Sequence, residues 1–202
     1  MNKPGLVTVS VLGTLVALAG IVLLVIFTGV YDVAADGGHA GLTRWALNTL
    51  QESSVSARAA YVEGSPPTDS TSLQHGLEHY REMCVTCHGA PGVQRGEVGR
   101  GMTPLPPNLR NQAGEWTDAE LFWITKHGIK LAGMPAFGAT HSDEEIWAIT
   151  AFVRGLPEMN ADDYAEAVRS LEASPSRPGH THGVDSDAGH AHDEGTGEER
   201  KP

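Results

Sequence analysis

Cysteine, aromatic residues and positive charge are all scarce in this chain of 202 residues. Two cysteines are too few for a disulfide scaffold. Only 6% of the residues are aromatic, while 24 are glycine and 12 are proline, which argues against a large β-sheet or a TIM barrel. The formal net charge of −11 leaves nothing to neutralise a phosphate backbone, so we expect no nucleic-acid partner.

Charge is absent altogether between Lys3 and Asp32. The apolar run of residues 4–31 is long enough, at about 1.5 Å per residue, to cross a hydrocarbon layer of ~30 Å. It is also longer than the apolar core of a cleavable signal peptide, which has about 7–15 residues. We therefore predict a transmembrane anchor in residues 1–31; cleavage after Ala35 is the alternative. Because Lys3 precedes the run, the positive-inside rule places the remainder outside the cytoplasm.

Residues 32–70 are predicted to form a juxtamembrane helix and a linker. Trp45 is expected either at the headgroup level of the membrane or against the following domain. The Gly-Ser-Pro-Pro sequence of residues 64–67 ends the helix and marks a domain boundary. The apolar residues that share one stripe of this helix are Leu42, Trp45, Ala46, Thr49 and Leu50.

Three further helices are predicted in the domain of residues 71–158. Each begins with a capping-box pattern, in which Ser or Thr precedes Glu or Gln by three residues. Residues 89–115, between the first two helices, are rich in glycine and proline, and so long an irregular segment is reasonable if it wraps a rigid group that is not protein. The predicted starts and ends are Thr71 to Cys84, Thr117 to Gly128, and Ser142 to Gly155.

Residues 84–88 read Cys-Val-Thr-Cys-His, the pattern of covalent c-type haem attachment. Thiols three residues apart can each form a thioether at one edge of the macrocycle, and His88 can then bind the iron. Three alternatives compete. A zinc site needs four ligands, and the remaining one would have to be a distant His or Asp. A thioredoxin-like pair would need a βαβ context, and a disulfide between Cys84 and Cys87 would leave His88 unexplained.

Met134 is the best candidate for the second axial ligand. It lies 46 residues after His88, between Gly133, which permits close approach to the ring, and Pro135, which fixes the backbone. The competitors are Met102, Lys126, His127 and His141. Met102 is expected on the proximal side. His127 ends a helix whose apolar face is expected against the haem edge, namely Leu121, Phe122 and Ile124.

With these motifs, residues 72–157 resemble a monohaem class I cytochrome c domain. The resemblance implies an all-α fold around one covalent haem c, held by Cys84, Cys87, His88 and Met134. It also implies that the carbonyl of Pro107, which precedes Asn108 and Leu109, accepts the imidazole N–H of the axial histidine. Pro107 and Leu109 are therefore candidate cofactor-binding residues. The first and last helices should cross, with Gly76 and Tyr80 against Trp147 and Ala151.

The function that the resemblance implies is one-electron transfer, because an iron closed by His and Met has no open position for a substrate. We expect a single-pass protein of the cytoplasmic membrane, with the haem domain on the periplasmic side. The protein would exchange electrons with redox proteins in or at the membrane, or it would be the cytochrome subunit of such a membrane complex. The alternatives are a haem enzyme or gas sensor with a labile distal methionine, and a metal-binding protein that uses its tail.

That tail follows a short amphipathic helix in the region of residues 159–202. Tyr164, Val168 and Leu171 share one side of the helix. Residues 174–202 are predicted to be disordered, and residues 161–202 carry ten acidic and four basic side chains. Two His-x-His pairs in the tail are weak candidate metal ligands; they consist of His180, His182, His190 and His192.

Overall fold

The computed structural model describes residues 3–130 and 132–173 of the chain. In this part every regular element is helical, as predicted, apart from isolated bridges between Ala90 and Val93 and between Ile129 and Met134. The α-helices are α1 Lys3–Thr28, α2 Gly41–Ala59, α3 Ser70–His79, α4 Val85–His88, α5 Glu97–Arg100, α6 Leu109–Gln112, α7 Asp118–His127, α8 Asp143–Gly155 and α9 Ala161–Ala173. A π-helical turn, Tyr80–Cys84, joins α3 to α4, and 3-10 turns lie at Ala113–Glu115, Phe137–Ala139 and Leu156–Glu158.

Helix α1 has 26 residues, and its large apolar side chains are exposed in the part of the chain that the structure describes. The segment Pro4–Thr28 is long and apolar enough to cross a membrane. Helix α2 differs, because its C-terminal end is anchored on the domain: Val55 and Ala59 are buried where α2 meets α7. Trp45, nearer the start of α2, is 64% exposed and so does not pack against the following domain.

The crossing of α3 and α8 forms the centre of the domain. A Cβ atom at Gly76 would lie only 2.1 Å from the carbonyl oxygen of Ala148, and the Tyr80 and Phe152 rings are 5.2 Å apart between centroids. The predicted contacts with Trp147 and Ala151 were therefore displaced by one position along α8. Spacing along the chain does not reveal how far a helix is rotated about its axis, and here that rotation decides the contacts.

Helix starts were predicted well for α7 and α8 and wrongly for α3. Thr117 and Ser142 form complete capping boxes with the glutamates three residues later. The N-cap of α3 is Asp69, not Thr71, and its carboxylate accepts a hydrogen bond of 2.9 Å from the Ser72 N–H. An ionised carboxylate is a strong N-cap because it also opposes the positive end of the helix dipole, so the helix begins earlier.

Two clusters of buried side chains hold these helices together. In the smaller one, Trp147 stacks on Phe122 with ring centroids 4.3 Å apart, and Ile146 joins them. Helix α9 adds Tyr164 to the larger cluster, with Val168 and Leu171 partly buried beside it, which confirms the predicted amphipathic helix. The four tail histidines lie outside the described residues. The larger cluster consists of Leu77, Tyr80, Ala113, Leu121, Ile149, Phe152, Val153, Leu156 and Tyr164.

Candidate functional site

The Cys-x-x-Cys-His residues lie where the first helix of the domain ends. The π turn Tyr80–Cys84 precedes the single turn α4, which the simple helical pattern did not predict. π turns of this kind occur often at functional sites. Cys84 and Cys87 are both free thiols and both partly buried, so they form no disulfide in this structure. Burial raises the pKa of the Cys84 thiol to about 12, which keeps this thiol protonated at neutral pH.

His88 is oriented by a contact with the backbone of residue 107. Its Nδ1 lies 2.9 Å from the Pro107 carbonyl oxygen, the partner that the resemblance implied. A carbonyl oxygen only accepts, so Nδ1 donates its proton and Nε2 keeps a free lone pair. Burial lowers the pKa of His88, and this outweighs the opposite effect of the Pro107 hydrogen bond. The ring is therefore a neutral imidazole with Nε2 suited to metal binding.

Glycines that the sequence reasoning did not single out bring residues 89–101 close to this turn. A Cβ at Gly99 would lie 2.7 Å from the Cys87 carbonyl oxygen, so only glycine lets α5 approach so closely. Gly96 N–H donates to the Thr86 carbonyl at 2.9 Å. Gly89 has a left-handed φ of 70°, and its carbonyl accepts a hydrogen bond of 2.6 Å from the Tyr80 hydroxyl. The dense glycine spacing of this segment was the available signal.

Met134 lies in a loop that is anchored on the C-terminal end of α7. Gly128 ends this helix with a φ of 63°, and a Cβ there would lie 2.5 Å from the Met134 carbonyl oxygen. The Ile129 N–H donates to the same oxygen at 3.2 Å. This turn fixes the backbone of residue 134, and the Met134 side chain is partly buried.

The structure places Met102 beside this loop, which corrects the expectation that it belongs to the proximal segment. The Met102 methyl carbon lies 2.5 Å from the point that a Cβ of Gly133 would occupy. The chain folds back after α5, and residues 101–103 thereby reach the loop of Met134. Gly133 has a left-handed φ of 72°, which favours glycine at this position.

The other candidate axial ligands are engaged elsewhere or exposed. Lys126 forms an ion pair of 2.6 Å with Asp143. His127 is exposed, with its ring 4.9 Å from the ring of Trp123. His141 is buried, and its Nδ1 lies 2.8 Å from the Thr140 hydroxyl.

The apolar face of α7 packs on protein at two of its three positions. Leu121 belongs to the larger core cluster, and Phe122 stacks on Trp147 of α8. Ile124 is partly buried, and the contact of this face with a haem edge stays a prediction. Leu109, the other candidate cofactor contact, is partly buried against the larger cluster.

A cavity of about 270 Å³ adjoins His88 and carries positive charge. Arg95 and Arg100 both line it. The Arg95 Nε atom is buried and has no hydrogen-bond partner among the described residues, so an acidic group would satisfy it. The donor set of this region thus fits haem c: two free thiols, a neutral imidazole with its Nε2 available, and a guanidinium suited to the carboxylates of the porphyrin.

Comparisons with known proteins point to a cytochrome domain in this part of the chain. Residues 71–153 match the family model described as cytochrome C oxidase, cbb3-type, subunit III. A quinohemoprotein alcohol dehydrogenase from Comamonas testosteroni is 28% identical over 90 residues, which are 45% of this chain. The match covers only 12% of the length of that dehydrogenase.

Proposed function

We propose, from the premise that residues 71–153 form a class I cytochrome c domain carrying haem c, that this chain is a membrane-tethered one-electron carrier with His88 and Met134 as axial ligands. One observation carries the assignment of His88. Its Nδ1 is bound to the Pro107 carbonyl at 2.9 Å, so that Nε2 is the nitrogen left for iron. Haem-based electron transfer is the function that the domain supports; the ligand pair, the tether and the partners are the proposal.

Each site residue has a distinct role in this proposal. Cys84 and Cys87 would hold the porphyrin by thioether bonds, and His88 would bind the iron in an orientation set by Pro107. The Met134 thioether would take the opposite position and favour the reduced state relative to a second histidine. When bound, haem c supplies an iron that gains or loses one electron, while the protein provides burial, orientation and ligand choice.

A closed coordination shell favours electron transfer over catalysis. Two protein ligands leave no position for oxygen, peroxide or a small substrate, and the turn at Gly128 fixes the backbone that carries Met134. The enzyme or gas-sensor alternative requires Met134 to dissociate readily. Rapid stoichiometric binding of carbon monoxide to the reduced protein would favour that alternative, whereas slow or negligible binding supports the carrier.

The proposal of the tether and the partners is supported by α1 and by the comparisons. Helix α1 would anchor the chain in the cytoplasmic membrane, with the domain on the periplasmic side. The matching family is an oxidase subunit and the matching relative is a dehydrogenase, so we propose that the partner is a membrane-associated oxidoreductase. The chain would either exchange electrons with that enzyme or belong to it as a subunit.

The axial ligand is tested by a matched pair of methionine variants. The oxidised full-length protein should show the weak near-infrared charge-transfer band of a thioether bound to haem iron. Met134→Ala should abolish this band, and Met102→Leu, which changes the neighbouring methionine, should retain it. Loss of the band in Met102→Leu but not in Met134→Ala would assign the ligand to residue 102 and overturn the proposal.

Attachment through the two cysteines has its own test. The denatured wild-type protein, produced in a host that matures c-type cytochromes, should exceed the mass of its amino acids by one haem. Cys84→Ala/Cys87→Ala should lose this added mass. An unmodified mass for the wild type would refute covalent attachment.

A further inference from the structure

The C-terminal half of α2 packs on the domain, whereas large apolar side chains of its N-terminal half are exposed. Val55 and Ala59, in its C-terminal half, are buried against the domain at relative exposures of 1% and 5%. In the N-terminal half, Leu42, Trp45 and Leu50 are exposed at 75%, 64% and 66%. Single exposed apolar side chains are ordinary, but three large ones on one stripe of a single helix indicate a surface that is covered.

The exposed stripe and the docked face point in different directions. At about 100° per residue, Leu42 lies ~120° and Leu50 ~160° around the helix from the centre of the face formed by Val55 and Ala59, and Trp45 lies ~60° from it. The domain therefore holds α2 without covering Leu42, Trp45 and Leu50. Whatever covers the stripe lies on another side of the helix and near its N-terminal end.

The N-terminal end of α2 lies close in the chain to α1, the proposed membrane anchor. The apolar helix α1 ends at Thr28, and α2 begins at Gly41, only a short linker later. The Thr103 hydroxyl donates a hydrogen bond to the Ala35 carbonyl, which ties the linker to the domain. With α1 in the bilayer, the start of α2 stays within roughly 45 Å of the bilayer surface even if the linker is fully extended.

We propose that the N-terminal half of α2 lies in the headgroup region of the leaflet from which α1 emerges, with Leu42, Trp45 and Leu50 inserted among the lipids. This inference rests on α1 being a membrane anchor. Tryptophan is enriched at that depth, and a short apolar stripe beside polar residues is typical of a helix in the interface plane.

The consequence is a fixed orientation for the electron-transfer domain. A domain on a flexible tether presents every face to the membrane surface. Here α2 would be bound to lipid at its first half and to α7 at its second half. The haem domain would then sample few orientations relative to a partner in the same membrane.

Photolabelling of the full-length holoprotein tests this inference. The protein would be placed alone in phosphatidylcholine nanodiscs that carry a photoreactive group in the upper acyl chain, and labelled peptides would be mapped by mass spectrometry. Labels are expected on α1 and on residues 42–50, and not on α9. The double variant Leu42→Ser/Leu50→Ser should lose labelling in residues 42–50 several-fold, while the control Asn48→Ser should keep it.

The outcomes separate this inference from the proposed anchor. Labelled α1 with unlabelled residues 42–50 would overturn the lipid contact and leave the anchor standing. Unlabelled α1 would refute the anchor itself. If the stripe variants abolish co-purification with a membrane enzyme while residues 42–50 stay unlabelled in nanodiscs, the stripe binds protein and the lipid contact is refuted.

Discussion

Tyr80 is the residue whose single hydrogen bond does most to connect the first helix of the domain with the haem-attachment turn. Its hydroxyl is buried and donates to the Gly89 carbonyl at 2.6 Å, directly after His88. Burial raises the pKa of this phenol, so it stays protonated and able to donate. Removing the hydroxyl would leave the Gly89 carbonyl without this donor.

Tyr80→Phe is therefore expected to lower the free energy of unfolding of the holoprotein by about 1–3 kcal/mol. Tyr61→Phe is the matched control, because Tyr61 is 86% exposed and should change little. Chemical denaturation followed by haem absorbance and by circular dichroism measures both variants. Equal stability of Tyr80→Phe and wild type would show that water replaces the hydroxyl at no cost.

For single residues, the sequence indicated which side chains could bind a cofactor, but it did not indicate which segments lie close together in the fold. The thiols, the histidine and Met134 were singled out as candidates because their side chains have few other uses in such a pattern. Gly99 was not singled out, and Met102 was expected elsewhere, because what matters there is a distance between segments far apart in the chain. No local pattern encodes that distance.

Among the elements, the crossing of α3 and α8 makes the sharpest steric demand. A Cβ at Gly76 would lie 2.1 Å from a backbone oxygen of α8, and backbone cannot yield as a flexible side chain can. Gly76→Ala should separate the two helices and destabilise the holoprotein by about 1–3 kcal/mol. Thermal unfolding monitored at the haem and in the far ultraviolet measures the effect.

Gly155 provides the matched control for Gly76. It lies in α8 with ordinary helical φ and ψ of −76° and −18°, and a Cβ there would meet nothing within 4 Å. Gly155→Ala should be neutral or stabilise by up to ~1 kcal/mol, because alanine loses less conformational entropy on folding. A similar loss of stability in both variants would contradict the steric explanation.

A pair of buried histidines also joins α3 to the start of α8. The His79 and His141 rings are 5.1 Å apart between centroids, and His79 Nε2 lies 3.8 Å from Glu145 Oε1. Burial, followed by His141, lowers the pKa of His79, although Glu145, Glu78 and Glu82 act in the opposite direction. The unfolded chain therefore binds the proton more readily than the folded one.

Stability should consequently fall as the pH drops below the ordinary histidine value of 6.5. Denaturation midpoints of the holoprotein measured from pH 8 to about pH 5 should show this decline, and His79→Gln should flatten it. His127→Gln, at an exposed position, should leave it unchanged. Glu120 and Glu145 have lowered pKa values, so their contribution is lost only at still lower pH. A decline unaffected by His79→Gln would assign it to another group.

The elements themselves could be predicted wherever a local signal starts or stops them. The capping boxes at Thr117 and Ser142 and the glycine that ends α7 are such signals. The π turn at Tyr80–Cys84 has none, because it depends on how the attachment turn packs on the core. The N-cap of α3 was missed because Asp69 competes with a nearby threonine, and pattern alone does not rank two adequate caps.

For the whole molecule, the division between self-packed helices and glycine-rich loops determines how the protein responds to loss of haem. Helices α3, α7 and α8 pack on one another through the larger core cluster. Residues 89–108 instead contact the attachment turn mostly through backbone atoms and bury few apolar side chains. A domain of this size has a marginal core, and the macrocycle would supply much of the missing apolar surface.

Apoprotein made in a host without haem attachment should therefore lose stability unevenly. Hydrogen exchange measured by mass spectrometry should show residues 89–108 and 132–140 exchanging almost as fast as an unfolded chain, while α8 keeps partial protection. The holoprotein should protect all three regions, because in the proposed arrangement the haem would be bonded both to residues 84–88 and to Met134. Protection of residues 89–108 that is equal with and without haem would mean that these loops are ordered by protein contacts alone, and that the porphyrin is not the centre around which the domain folds.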